Sequence, residues 1–163
     1  MLYNLIISGG GKNGIGILGI IKYLFENNYI NNIKNYIGTS VGSIICFLLI
    51  LNYSIDELIE FSLNFDFNKI IKNKLFDSLI LEFGFTSQDK LIYILEKLLE
   101  NKNIDKDITF KQLFKKYQKN LVITGSCLTD NKCYYFNKDK YPDMKILKAI
   151  EISTCIPILF KPI

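Results

Sequence analysis

Hydrophobic residues come in short blocks along this chain, and the spacing inside each block separates strands from helices. Tyr3-Asn4-Leu5-Ile6-Ile7-Ser8 has the length and composition of a buried strand. In Ile15 through Leu24 the apolar residues recur on a helical period against one face, which predicts a helix directly after that strand. Asn35-Tyr36-Ile37 is a second strand-like stretch, and the uninterrupted run Ile44 to Leu51 reads as a core helix packed on the sheet. That run is far short of the ~20 residues needed to span a bilayer.

Further along, Ser54-Ile55-Asp56-Glu57 and Thr109-Phe110-Lys111-Gln112 are capping boxes, and Thr86-Ser87-Gln88-Asp89 is another helix start. Leu91, Ile94, Leu95, Leu98 and Leu99 form an apolar stripe at helical spacing. Asn120 to Cys127 and Lys132 to Phe136 read as two strands around the turn Thr129-Asp130-Asn131. Strands alternating with helices predict a single α/β domain over residues 1–163, a three-layer α/β/α arrangement around a mostly parallel central sheet.

Two glycine clusters sit where strands pass into helices. Gly38-Thr39-Ser40-Val41-Gly42 matches the G-x-S-x-G elbow, where small flanking residues allow a sharp turn that pushes a serine Oγ into the open. An ordinary strand-to-helix turn uses the same residue types. Gly9-Gly10-Gly11-Lys12-Asn13-Gly14 follows the first strand and presents consecutive backbone N–H groups able to hold an anion. The loop also satisfies G-x-G-x-x-G through Gly9, Gly11 and Gly14, a pattern shared with dinucleotide sites. Such a site wants an acidic residue at the end of the next strand, where this chain has Ile37-Gly38-Thr39-Ser40. Gly16 and Gly19 read as packing positions of the first helix.

Histidine is absent, which excludes a Ser-His-Asp triad and any metal site that depends on imidazole; no metal or organic cofactor is implied. An activated serine then needs another base, most simply a carboxylate. A glycine loop after the first strand, a serine elbow after the second and no histidine together resemble the patatin-like phospholipases, which use a Ser-Asp dyad. Ala149-Ile150-Glu151-Ile152-Ser153-Thr154-Cys155-Ile156-Pro157-Ile158-Leu159-Phe160-Lys161-Pro162 is similar to that family's helix, Ser, Pro and Phe-x-Pro segment. The family loop usually reads Gly-Gly-Gly-x-Arg/Lys-Gly, so Asn13 departs from it.

The resemblance implies hydrolysis of an acyl ester in a phospholipid or other lipid. Ser40 would be the nucleophile, with backbone amides around Gly10, Gly11, Lys12 and Val41 holding the oxyanion. The dyad aspartate of the family sits in an Asp-Gly-Gly or Asp-Gly-Ala motif beyond the Phe-x-Pro segment. No Asp-Gly pair occurs in these 163 residues, so the chain is expected to be incomplete at its C-terminus and to lack the general base. Asp56, Asp66, Asp77, Asp89, Asp105, Asp107, Asp130, Asp139 and Asp143 read as caps, turns and surface. A catalytically dead lipid-binding module is the alternative, and a nucleotide-binding domain a more distant one.

Net charge is +4, and every one of the 20 basic residues is lysine. Lys69 to Lys74 and Lys111 to Lys119 interleave lysines with large apolar residues, as would a face touching an anionic membrane or one solvated side of a helix. Nothing beyond lysine content points to nucleic acid. Cys46, Cys127, Cys133 and Cys155 lack C-x-x-C spacing and read as buried free thiols in a reducing compartment. With no signal peptide evident, the expected location is cytoplasmic, peripheral at membranes. The abundance of Asn and Ile is read as compositional bias without functional content.

Overall fold

A computed structural model describes residues 2–64, 84–86, 88–155 and 158–160. The basic stretch Lys69 to Lys74, Asp66, Asp77 and Ser87 lie outside the described residues, as does part of the Phe-x-Pro segment. The elements are β1 (Asn4–Ile7), α1 (Gly14–Glu26), β2 (Asn35–Gly38), α2 (Val41–Ile50), α3 (Ile55–Asn64) and β3 (Gly84–Thr86). They continue with α4 (Asp89–Asn101), α5 (Phe110–Tyr117), β4 (Asn120–Cys127), β5 (Lys132–Phe136), α6 (Ile146–Thr154) and β6 (Ile158–Phe160). A single 3₁₀ turn, Gly11–Asn13, joins the glycine loop to α1.

The four-stranded sheet has the order β1-β2-β4-β5, parallel except for β5, which returns antiparallel from β4. A separate pair, β3 and β6, is parallel. The α/β class with a mostly parallel sheet is therefore as the sequence predicts. Strand order advances in one direction from β1 through β2 to β4, and α2 and α6 pack on one face of the sheet. That face bears Tyr36, Gly38, Leu121, Ile123 and Gly125. A methyl group at Gly38 would run into the Ser43 backbone of α2, and one at Gly125 would sit 2.9 Å from Ile152 Cγ2 of α6.

α2 is the core helix. Cys46, Phe47 and Ile50 are fully buried, and Phe47→Ala at such a site costs about 3–5 kcal/mol. Burial pushes the Cys46 thiol up to about 12. Both capping boxes form: Ser54 N–H donates to Glu57 and Glu57 N–H to Ser54 Oγ, while Thr109 and Gln112 do the same at α5. In α5, Phe110 and Leu113 turn inward and Lys111, Lys115 and Lys116 outward, so its lysine pattern follows from an amphipathic core helix. Gln88 stands at the N-cap of α4 without a side-chain cap bond. Its amide donates instead to Glu151 O at 3.0 Å and Thr154 Oγ1 at 2.8 Å, fastening the start of α4 to α6.

One reading from the sequence needs correction. Cys46 is buried, but Cys127 and Cys155 are half-buried and Cys133 is exposed, because Cys133 falls on the outward side of β5. Three asparagines join the strands: Asn35 donates to Asn4 at 2.7 Å and Asn120 to Asn35 at 3.4 Å, a ladder across three parallel strands. The ladder lies on the second face of the sheet, which the described residues cover only in part; Ile6 there is 72% exposed. Among the described residues no helix is long and apolar enough to cross a membrane, and no group of His, Cys, Asp or Glu could hold a metal ion.

Candidate functional site

Both glycine clusters lie at the C-terminal ends of adjacent parallel strands, where open α/β sheets place their ligands. β2 ends at Gly38 and α2 begins at Val41, so Thr39 and Ser40 make the whole turn. Ser40 adopts φ 54 and ψ −125, a backbone that non-glycine residues occupy at a cost of about 1–3 kcal/mol. Such strain survives only if the surroundings enforce it.

Here they do. Thr39 N–H donates to Ile7 O at 3.1 Å, tying the turn to β1. Thr39 Oγ1 and Thr124 Oγ1 share a hydrogen bond of 2.7 Å, tying it to β4. Ser40 O accepts from Ser43 N at 2.9 Å and from Ser43 Oγ at 2.6 Å, while Ser40 N–H donates to Ser153 Oγ of α6 at 2.8 Å. Gly42 has no room for a side chain, since a methyl there would overlap the carbonyl oxygens of Ile7 and Ser8. The first turn of α2 is thereby pressed against the end of β1.

The glycine loop faces this turn. A methyl built on Gly9 would lie 3.4 Å from Ser40 Cβ. Val41 interlocks the two motifs, its Cγ1 3.9 Å from a methyl built on Gly10 and its Cγ2 2.8 Å from one on Gly14. Gly11 has φ +50 with open space around its α-carbon, a conformation that suits glycine. Asn13 N–H donates to Gly10 O at 2.9 Å, closing the turn. Among the described residues no acceptor meets the N–H groups of Gly10, Gly11, Lys12 or Val41. Unpaired amides beside the N-termini of α1 and α2 can hold an anion. The Asn13 side chain is exposed and makes no cap bond to α1.

No described residue hydrogen-bonds Ser40 Oγ. Several of the described aspartates are occupied elsewhere: Asp56 pairs with Lys22, Asp107 with Lys145 and Asp139 with Lys138, and Asp105 accepts from Asp107 N–H. Asp130 accepts from the Tyr134 hydroxyl at 2.6 Å and from Lys132 N–H at 3.2 Å, bonds that hold its carboxyl below the usual range. Ser153 and Thr124 are the site residues that sequence reasoning missed. They meet the elbow from 113 and 85 positions away, and only the strand order brings them there.

A family model described as patatin-like phospholipase matches residues 5–163. The probable lipid hydrolase 463L of Invertebrate iridescent virus 6 is 37% identical over 162 residues, covering 98% of this chain and 55% of that protein. The uncharacterized protein R571 of Acanthamoeba polyphaga mimivirus is 37% identical over 164 residues, covering 98% of this chain and 54% of its own length. The chain thus spans about half the length of the curated relatives it matches. Among solved structures, VipD from Legionella pneumophila has a TM-score of 0.71 at 17% identity, covering 98% of this chain and 43% of VipD. Full-length ExoU from the type III secretion system of Pseudomonas aeruginosa has a TM-score of 0.64 at 20% identity, covering 96% of this chain and 38% of ExoU. At those identities the likeness speaks for the fold. Because the family match runs from within β1 to Ile163, the chain belongs to the patatin-like phospholipase family.

Proposed function

We propose that these residues form the nucleophile elbow and oxyanion loop of a lipid acyl hydrolase, with Ser40 attacking the ester carbonyl. The observation that carries this reading is the strained Ser40 backbone, φ 54 and ψ −125, braced from β1, β4 and α6 and facing a loop with free amides. The name of the viral relative, a probable lipid hydrolase, supports a lipid ester as substrate. Ser40 Oγ adds to the carbonyl carbon, and the negative oxygen sits among the N–H groups of Gly10, Gly11, Lys12 and Val41. Each well-placed donor is worth about 3 kcal/mol of barrier. The tetrahedral species expels the alcohol, which leaves with the serine proton; water then releases the carboxylate and frees Ser40.

The family's Ser-Asp dyad supports a carboxylate as the proton acceptor, and these 163 residues hold no histidine that could serve instead. We assign it to a residue outside the described ones. A second reading, a lipid-binding module without turnover, draws on the absence of any described partner for Ser40 Oγ. If membranes are the site of action, the exposed Lys111, Lys115 and Lys116 of α5 offer a face for anionic lipid.

Fatty-acid release from phosphatidylglycerol vesicles separates these readings. The expected result is turnover by the protein and its loss in Ser40→Ala. Removal of a catalytic unit costs up to about a million-fold. Turnover that survives Ser40→Ala overturns the nucleophile; vesicle binding without turnover by the full-length protein establishes the second reading.

A further inference from the structure

Away from Ser40, near the opposite ends of the strands, lies a cavity of about 410 Å³. Small-molecule sites run from about 300 to 1,000 Å³. Leu5 and Tyr36, level with each other on β1 and β2, line it from the sheet. Ile21 and Phe25 of α1, Ile33 of the following connection and Leu49 of α2 supply the apolar walls.

Its charges are unevenly satisfied. Lys22 lies 2.7 Å from Asp56 and 4.0 Å from Glu26, so three of the lining charges form one cluster. Lys119 is different: its ammonium sits 5.5 Å from the centroid of the Tyr36 ring, and among the described residues it has no carboxylate partner. Burial lowers its pKa, the mark of a cation short of counter-charge. Tyr36 is 7% exposed, and no described residue hydrogen-bonds its hydroxyl. A partly desolvated ammonium and a free phenol beside an apolar trough suit an anion that carries a hydrocarbon chain.

We propose that this cavity binds a long-chain carboxylate, a free fatty acid, with its head on Lys119 beside the Tyr36 phenol and its chain against Leu5, Ile21, Phe25, Ile33 and Leu49. The anion supplies the missing partner of Lys119, and the chain replaces water on the apolar walls. The cavity shares no residue with the Ser40 turn or the glycine loop, so the proposal stands apart from the proposed reaction.

The test is titration calorimetry of the protein with laurate, using acetate and dodecanol as headgroup-only and chain-only controls. One saturable laurate site is expected, with both controls at least about ten-fold weaker. Lys119→Gln should weaken laurate about ten-fold, Lys140→Gln, at an exposed lysine outside the cavity, should leave it unchanged, and Leu49→Trp should abolish it by filling the trough. Melting curves accompany each variant, and Ile33→Phe replaces Leu49→Trp if the latter fails to fold. No saturable laurate binding, or binding indifferent to both Lys119→Gln and the filling variant, overturns the proposal.

Discussion

Ser153→Ala removes the acceptor of the Ser40 N–H and nothing else near the elbow, because the Ser153 hydroxyl lies 2.8 Å from that nitrogen. A buried donor left unpaired costs about 1–3 kcal/mol. Ser40 is only half-buried, so water recovers part of the loss and the lower end applies, about 1 kcal/mol. For a domain of this size that lowers the melting temperature by about 2–4 °C. Activity should fall further than stability suggests. The lost bond is one of those resisting relaxation of a backbone strained by about 1–3 kcal/mol, and about 1.4 kcal/mol of lost restraint is ten-fold in rate. The assay is ester turnover by the full-length protein with separate kcat and KM, alongside a melting curve. A drop of about ten-fold in kcat at unchanged KM is expected, with Ser153→Thr, which keeps the hydroxyl, recovering most of it. Wild-type melting and wild-type kcat in Ser153→Ala would refute the reasoning.

Glycine replacements should divide by location: Gly42→Ala forces a methyl onto two carbonyl oxygens and should cost about 3 kcal/mol in chemical denaturation. Gly16→Ala meets open space on the outside of α1 and should gain about 1 kcal/mol. Thr109→Ala breaks the α5 capping box and should lower stability by about 1 kcal/mol in the same measurement. Cys46, with its thiol pushed up to about 12, carries almost no thiolate at pH 8; iodoacetamide should modify exposed Cys133 and spare Cys46 until denaturant is added, as intact-mass analysis reads directly.

The four strands of the main sheet and the two turns were legible because their signals are local, whereas the short strands β3 and β6 carry no such signal and were not predicted. The apolar run Leu5-Ile6-Ile7, a glycine triple and a small-x-Ser-x-small turn each declare their conformation within a few positions. Asn120 to Cys127 and Lys132 to Phe136 appear as strands over the predicted residues for the same reason. Helix α2 starts at Val41, three residues ahead of the apolar run that predicts it, because Val41, Gly42 and Ser43 form its first turn under steric pressure from β1. Periodicity cannot see that pressure. The asparagine ladder, the Thr39–Thr124 bond and the Ser153 brace all require the order β1-β2-β4, which no local pattern encodes. Lys119 illustrates the same limit: in the sequence it ends a lysine-rich stretch, and only the fold seats it over Tyr36.

Covalent capture at Ser40 tests the central claim most directly. The full-length protein is treated with a fluorophosphonate, digested, and the adduct located by peptide mass spectrometry. The adduct is predicted on the peptide containing Ser40, absent from Ser40→Ala and slowed in Ser153→Ala. An adduct on any other serine, or undiminished labelling of Ser40→Ala, would contradict the claim.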